Sequence, residues 1–184
     1  MRFSLVYQGD LGSRKKPIDK ARIRKEFDPQ LRHLWQTPPL NDSAHLQDIN
    51  HKPNDCYVGR SVGSVEYVPL ITDRLSLRAE LDILFLSADS HDGLVRHGDI
   101  DNRLKTLFDA LGVPTQNQAQ ADEELGTVDG RRFCLLDDDR LISKVSVRNE
   151  RWLNAAKGSN EALVVIDVRP VAFRGLVCNI GIAG

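Results

Sequence analysis

The sequence predicts an α+β fold, one domain over 1–184 in which a mixed β-sheet carries helices packed on it. Three observations point there. Apolar residues alternate or run together in short stretches at 2–8, 64–70, 75–86, 141–148 and 162–168, as half-buried and buried strands require. Two other stretches, 19–35 and 101–111, space their apolar residues at threes and fours, the pattern of an amphipathic helix. The 184 residues, 41% hydrophobic and 28% charged, are enough for one domain with its own core.

Taken in order, residues 2–8 alternate weakly and read as a strand, closed by a turn at 10–13 that follows Gly9 and contains Gly12. Ile23, Phe27, Leu31 and Leu34 form the apolar stripe of the first helix, whose outer face is expected to be basic. Pro29 lies within it and raises the expectation of a split into two helices. Residues 37–55 hold three prolines and many polar side chains and read as loop. The strands at 64–70 and 75–86 flank a turn at 72–74, and the polar stretch 87–98, with His91 and His97, is a loop. A second helix follows. Residues 112–130 show no period and contain Pro114 and an acidic run, so a mobile loop is expected over about 112–134. The strands at 141–148 and 162–168 are expected to be antiparallel neighbours, and 171–184 reads as a last strand.

The chemistry concentrates in residues 98–112, GDIDNRLKTLFDALG. Leu104, Leu107, Phe108 and Leu111 form the buried stripe of the second helix, and Asp101 with Asn102 suits its N-cap. Asp101, Lys105 and Asp109 follow at steps of four and share a second stripe. Asp99 and Asp101 thus stand where a strand and its loop meet a helix N-terminus, a natural place for a hard divalent cation. A second acidic group, Asp137, Asp138 and Asp139, precedes the strand at 141–148; three adjacent carboxylates repel one another unless solvated or shared with a cation. Carboxylates that hold Mg²⁺ beside a lysine are the means of metal-assisted phosphodiester cleavage.

Here the chain resembles the RusA-like Holliday-junction resolvases, whose pattern is DxDN, a lysine four residues after the second Asp, then DAL, and later a DD pair before a strand. Asp99, Asp101, Asn102, Lys105, Asp109, Ala110 and Leu111 match the first part, and Asp137, Asp138, Asp139, Arg140 and Leu141 the second. The match covers roughly residues 75–150. The resemblance implies that Asp99, Asp101 and Asp138 bind Mg²⁺, with Mn²⁺ a substitute, and that Lys105 is catalytic. It implies a homodimeric endodeoxyribonuclease acting on branched DNA, in a phage or prophage setting. Asp137 and Asp139 are weaker candidates beside Asp138, and Asp109 is expected to support the site without ligating.

The alternatives for these residues are plain. Asp101 taken alone is a helix cap, and Lys105 an intrahelical partner of Asp101 and Asp109 worth only ~0.3–0.5 kcal/mol. Arg131, Arg132 and Arg140 flank the triplet, either to contact phosphates or to neutralise it. Trp35 and Trp152 are expected to pack and not to stack on bases. His33, His45 and His51 show no metal-ligand spacing. The net charge of −1 does not advertise nucleic-acid binding. Its distribution says more, because residues 14–33 are rich in Arg and Lys, a face suited to phosphates, or simply a solvated one. No apolar run is long enough to span a bilayer, and the first ten residues are too weakly apolar for a signal peptide. Three cysteines without CxxC spacing suit a reducing cytoplasm. The rival function is a non-catalytic nucleic-acid-binding protein that kept the fold. The absence of the family's proline- and asparagine-rich N-terminal strand-turn and the longer stretch 112–134 motivate it. A third reading keeps the metal but acts on another nucleic acid or a nucleotide.

Overall fold

The computed structural model describes residues 1–11, 15–48, 50–51, 56–88, 100–155 and 161–183. The fold is α+β as expected, with two mixed sheets in place of one. Strands β1 (Phe3–Asp10), β7 (Glu161–Ala172), β4 (Leu77–Ser87) and β6 (Ile142–Arg151) form the larger sheet in that spatial order. Its pairs are antiparallel except β4 with β6, which run parallel. Strands β2 (Arg60–Val62), β3 (Val65–Ile71) and β5 (Arg131–Leu136) form the smaller sheet, antiparallel and then parallel. Helices α1 (Pro17–Trp35), α2 (Ile100–Leu111) and α3 (Gln116–Leu125) complete it, with 3-10 helices at Leu40–Gln47, Asp139–Leu141 and Val177–Asn179.

The alternation in the sequence sets which face of the larger sheet is covered. Leu5 of β1, Ile166 of β7, Ile83 of β4 and Val147 of β6 pair side by side in one row across it. Leu81, Ile83 and Phe85 are almost wholly buried there and pack in one cluster with Phe27, Leu31 and Trp35 of α1 and Leu107 and Leu111 of α2. Apolar burial at about 25 cal/mol per Å² is the main force holding these layers together. Trp35 packs in this core, as expected.

Four expectations are corrected. First, β6 and β7 are not neighbours, because β4 lies between them. The long inward-buried run of β4 suits a central strand, and the mostly exposed or half-buried β6 suits an edge. Second, residues 112–134 are not one mobile loop, since helix α3 and the start of β5 occupy most of them. Thr115 caps α3 through a capping box with Gln118. Asp129 and Gly130, both with positive φ, then make the two-residue turn into β5 that this backbone favours. Phe133 to Leu136 form the buried run of β5, and a strand covered on both faces shows no alternation. Third, Pro29 does not split α1; it sits on the exposed side, and the helix runs unbroken past it. Fourth, the chain after Ala172 is not a strand. The buried Asn179 amide donates to the carbonyls of Leu75 and Arg174, both at 2.8 Å, and folds the tail back on the domain. Its Oδ1 accepts from the Leu176 amide at 2.9 Å.

The two ends of the larger sheet differ. The Gln30 side chain of α1 accepts from the Val6 amide at 2.9 Å and donates to the Val6 carbonyl at 2.8 Å, so one helix residue closes part of the β1 edge. No helix among the described residues is long and apolar enough to cross a membrane.

Candidate functional site

Helix α2 separates its residues as its pattern requires. Arg103, Thr106, Leu107, Ala110 and Leu111 are buried, while Asp101, Asn102 and Lys105 are exposed. Asp101 and Lys105 therefore stand one turn apart on the same solvent-facing stripe. Neither makes an ion pair with a described residue. The intrahelical triad of Asp101, Lys105 and Asp109 does not form, because Asp109 turns to Lys20 of α1 at 2.5 Å. Asp99, His91 and His97 lie outside the described residues.

The aspartate triplet leaves the end of β5. Leu136 bridges to Gly112, just past α2, and its carbonyl accepts from Val113 N at 3.0 Å. The triplet thus adjoins the C-terminal end of α2, while Asp101, expected as a cap, lies inside the first turn of the same helix about 15 Å away along its axis, so Asp138 is not brought to Asp101 as a shared metal site requires. Asp138 caps the 3-10 turn that follows, its Oδ1 accepting from the Arg140 amide at 3.0 Å. Asp137 pairs with Arg60 at 3.1 Å. Arg140 reaches past Asp138 to Asp73 at 2.7 Å, and Arg78 meets the same carboxylate at 2.9 Å. Asp139 is exposed. Among the described residues no group of three or more His, Cys, Asp or Glu side chains is placed to share a metal ion.

Asp73 is the member of this surface that sequence reading passed over, since a lone Asp in a turn carries no pattern. Hydrogen bonding to Arg78, reinforced by Arg140, holds its carboxyl below its ordinary value of 3.8. The Asp73 carboxyl should therefore titrate below 3.8 by NMR and return toward that value in Arg78→Ala. A midpoint unchanged by that substitution would remove Arg78 as the main cause.

Part of the basic stretch is spent on structure, while Lys16, Arg22, Lys25 and His33 stay exposed. Arg24 is almost completely buried. Its Nη1 donates to Asp122 Oδ2 at 2.5 Å, its Nε to the Gly112 carbonyl at 3.0 Å and its Nη2 to the Asp109 carbonyl at 2.7 Å. One guanidinium thus closes the C-terminal end of α2 and holds α3 to α1. Asp122 also accepts from the Tyr67 hydroxyl at 3.1 Å, and burial together with that carboxylate pushes the phenol well above its usual range. Arg132 is buried beside Asp28 at 3.3 Å and Asp122 at 3.6 Å, and donates to the Gly126 carbonyl at 2.7 Å. Arg131 stays over the Phe133 ring and bonds the Gln47 carbonyl at 2.7 Å. Of the three arginines near the triplet, only Arg140 meets it, and it does so as a neutralising partner. Arg22 remains exposed, as does Lys25, whose ammonium donates to the Leu125 carbonyl at 2.9 Å. Arg103 is a second residue that the sequence does not single out: a buried guanidinium in the first turns of α2, its Nε without a hydrogen-bond partner among the described residues.

No protein-family model, curated protein or solved structure matches this chain.

Proposed function

We propose that the protein is a metal-dependent endonuclease acting on branched DNA, with Asp99 and Asp101 as the metal-binding carboxylates and Lys105 as the catalytic cation. The observation that carries this reading is the exposed stripe of α2. There a carboxylate and an ammonium lie one turn apart, neither neutralised by a described neighbour, two residues after a further aspartate. Charged groups held toward solvent without internal partners are available to a ligand, unlike the satisfied ions of α1. Hard carboxylate oxygens suit Mg²⁺ or Mn²⁺, which would polarise a phosphoryl oxygen and make bound water more acidic. Lys105 would place its positive charge against the oxygen on which negative charge develops. The exposed Arg22 and Arg140 would attract the backbone near carboxylates that otherwise repel it. A second copy of the chain would supply the symmetric partner that paired cuts on a four-way junction require.

One observation favours the rival reading, a non-catalytic nucleic-acid-binding protein. Asp137 and Asp138 are engaged by Arg60 and Arg140. The test is whether purified protein with Mg²⁺ or Mn²⁺ nicks a synthetic four-way junction, with linear duplex, RNA and mononucleotide substrates in parallel. Nicking of the junction in preference to duplex, lost with chelator, is the expected result. Junction binding without nicking under either metal supports the binding protein instead.

A further inference from the structure

The β6 edge of the larger sheet lacks the cover that Gln30 gives to β1, and no described strand pairs with its outer side. The Trp152 amide donates to the Ser87 carbonyl at 2.8 Å, so Trp152 turns its backbone toward β4. Backbone groups alternate along a strand. Ser146, Arg148 and Glu150 therefore also face β4, while Val145 and Val147 aim N–H and C=O at the open edge. Such an edge is a template for another strand unless proline, a bulge or charge blunts it. β6 has no proline, and its one irregularity lies at its start, beside Ala79 and Glu80. Charge is the remaining guard, and here the charges complement themselves. Lys144 and Glu150 stand near opposite ends of the strand on one face, in line with Glu80 and Leu86 of β4 and away from the helices. Both are exposed, and neither makes an ion pair with a described residue.

We propose that a second copy of this chain pairs antiparallel along β6, on a two-fold axis through Val147, so that the two larger sheets run on as one. In that register Lys144 of each copy lies opposite Glu150 of the other, on the same face. Directly opposed side chains are the pairs that favour or disfavour a strand alignment. The two neighbouring registers that keep the faces aligned are penalised by charge. An axis through Ser146 sets Lys144 against Arg148 twice, and an axis through Arg148 sets that arginine against itself. At the chosen axis the two copies of Val147 exchange both backbone hydrogen bonds. They also join, end to end, the two rows formed by Leu5, Ile166, Ile83 and Val147. Val145, 39% exposed although its neighbour Leu81 is buried, is apolar surface on the side this junction covers. The contact rests on β6 and not on cleavage chemistry. It gives a surface to the second copy that junction cutting requires, and it stands equally for a binding protein.

The test measures the mass of the full chain by sedimentation velocity across the micromolar range, without DNA or metal. A species of twice 20.6 kDa is expected. Lys144→Glu and Glu150→Lys should each weaken the dimer by roughly 10²-fold, because each turns two attractions into two repulsions. Melting temperatures of the separated monomers should agree, since both side chains are exposed. Mixing the two single variants should restore the dimer, because every opposed pair is then again of opposite charge; the double variant should dimerise alone. In hydrogen exchange the Val147 amide should be protected in the native chain and lose protection in either single variant. A native chain that stays monomeric, a dimer unaffected by either charge reversal, or failure of the mixture to recover it would each overturn the proposal. Loss of nuclease activity in a chain that still dimerises through β6 would overturn the nuclease reading alone.

Discussion

Replacing Arg24 with alanine is expected to destabilise the fold by about 3–5 kcal/mol, because it strands the Asp122 carboxylate in the core. The pair lies at 2.5 Å with side chains 2% and 0% exposed, so solvent cannot stand in for the missing partner. The same substitution frees the Asp109 and Gly112 carbonyls that the guanidinium satisfies at the end of α2. For a chain of this length, a loss of that size lowers the melting temperature by on the order of 10 °C. Asp122→Ala should cost a similar amount, since Arg24, Arg132 and the Tyr67 hydroxyl all lose an acceptor or an ion partner. The two substitutions together should cost clearly less than their sum, as residues sharing one contact are not additive. Thermal melts of the two single variants and the double variant measure this. A change under about 1 kcal/mol for Arg24→Ala would return the residue to the solvent and reopen the basic helix as a DNA surface.

The second large effect is on activity and leaves stability alone. Asp101→Asn and Lys105→Ala should each reduce metal-dependent cleavage by roughly 10²-fold or more, the scale on which removing a group aimed at developing charge lowers turnover. Both side chains are exposed on α2, so melting temperatures should stay close to that of the unmodified chain. Asp99→Asn should behave alike in cleavage, whereas Asp138→Asn, at the far end of α2, should lower it much less. Asp138→Asn retains an acceptor for the Arg140 amide, so the cap should survive. DNA affinity in the aspartate variants should hold or increase, because each removes a negative charge near phosphate. Undiminished cleavage by Asp101→Asn would exclude that residue from the site. A parallel loss of cleavage and of melting temperature in Lys105→Ala would make the lysine structural.

The contrast between these two experiments marks what could be read in advance. Local patterns were legible. The alternation of β4 and β7, the three-and-four spacing of α1 and α2, and the solvent-facing stripe of Asp101 and Lys105 all depend on period alone. The same rules missed α3 and β5. The first is a short polar helix, and the second is a strand buried on both faces.

What the sequence determined by itself is therefore the α+β class, most of the elements and the chemical inventory of the candidate site. Tertiary structure decided which charges are spent inside. Arg24, Asp28, Asp122 and Arg132 look in the sequence like any solvated charges, yet the packing of α1, α3 and β5 buries them together. A buried ion keeps its charge only beside a partner that compensates lost hydration, and these partners come from segments about a hundred residues apart. The same holds for Asp73, which Arg140 joins to the triplet across the fold, and for the strand order that sets β4 between β6 and β7. Periodicity records which face of an element is buried; only the packed chain decides against what.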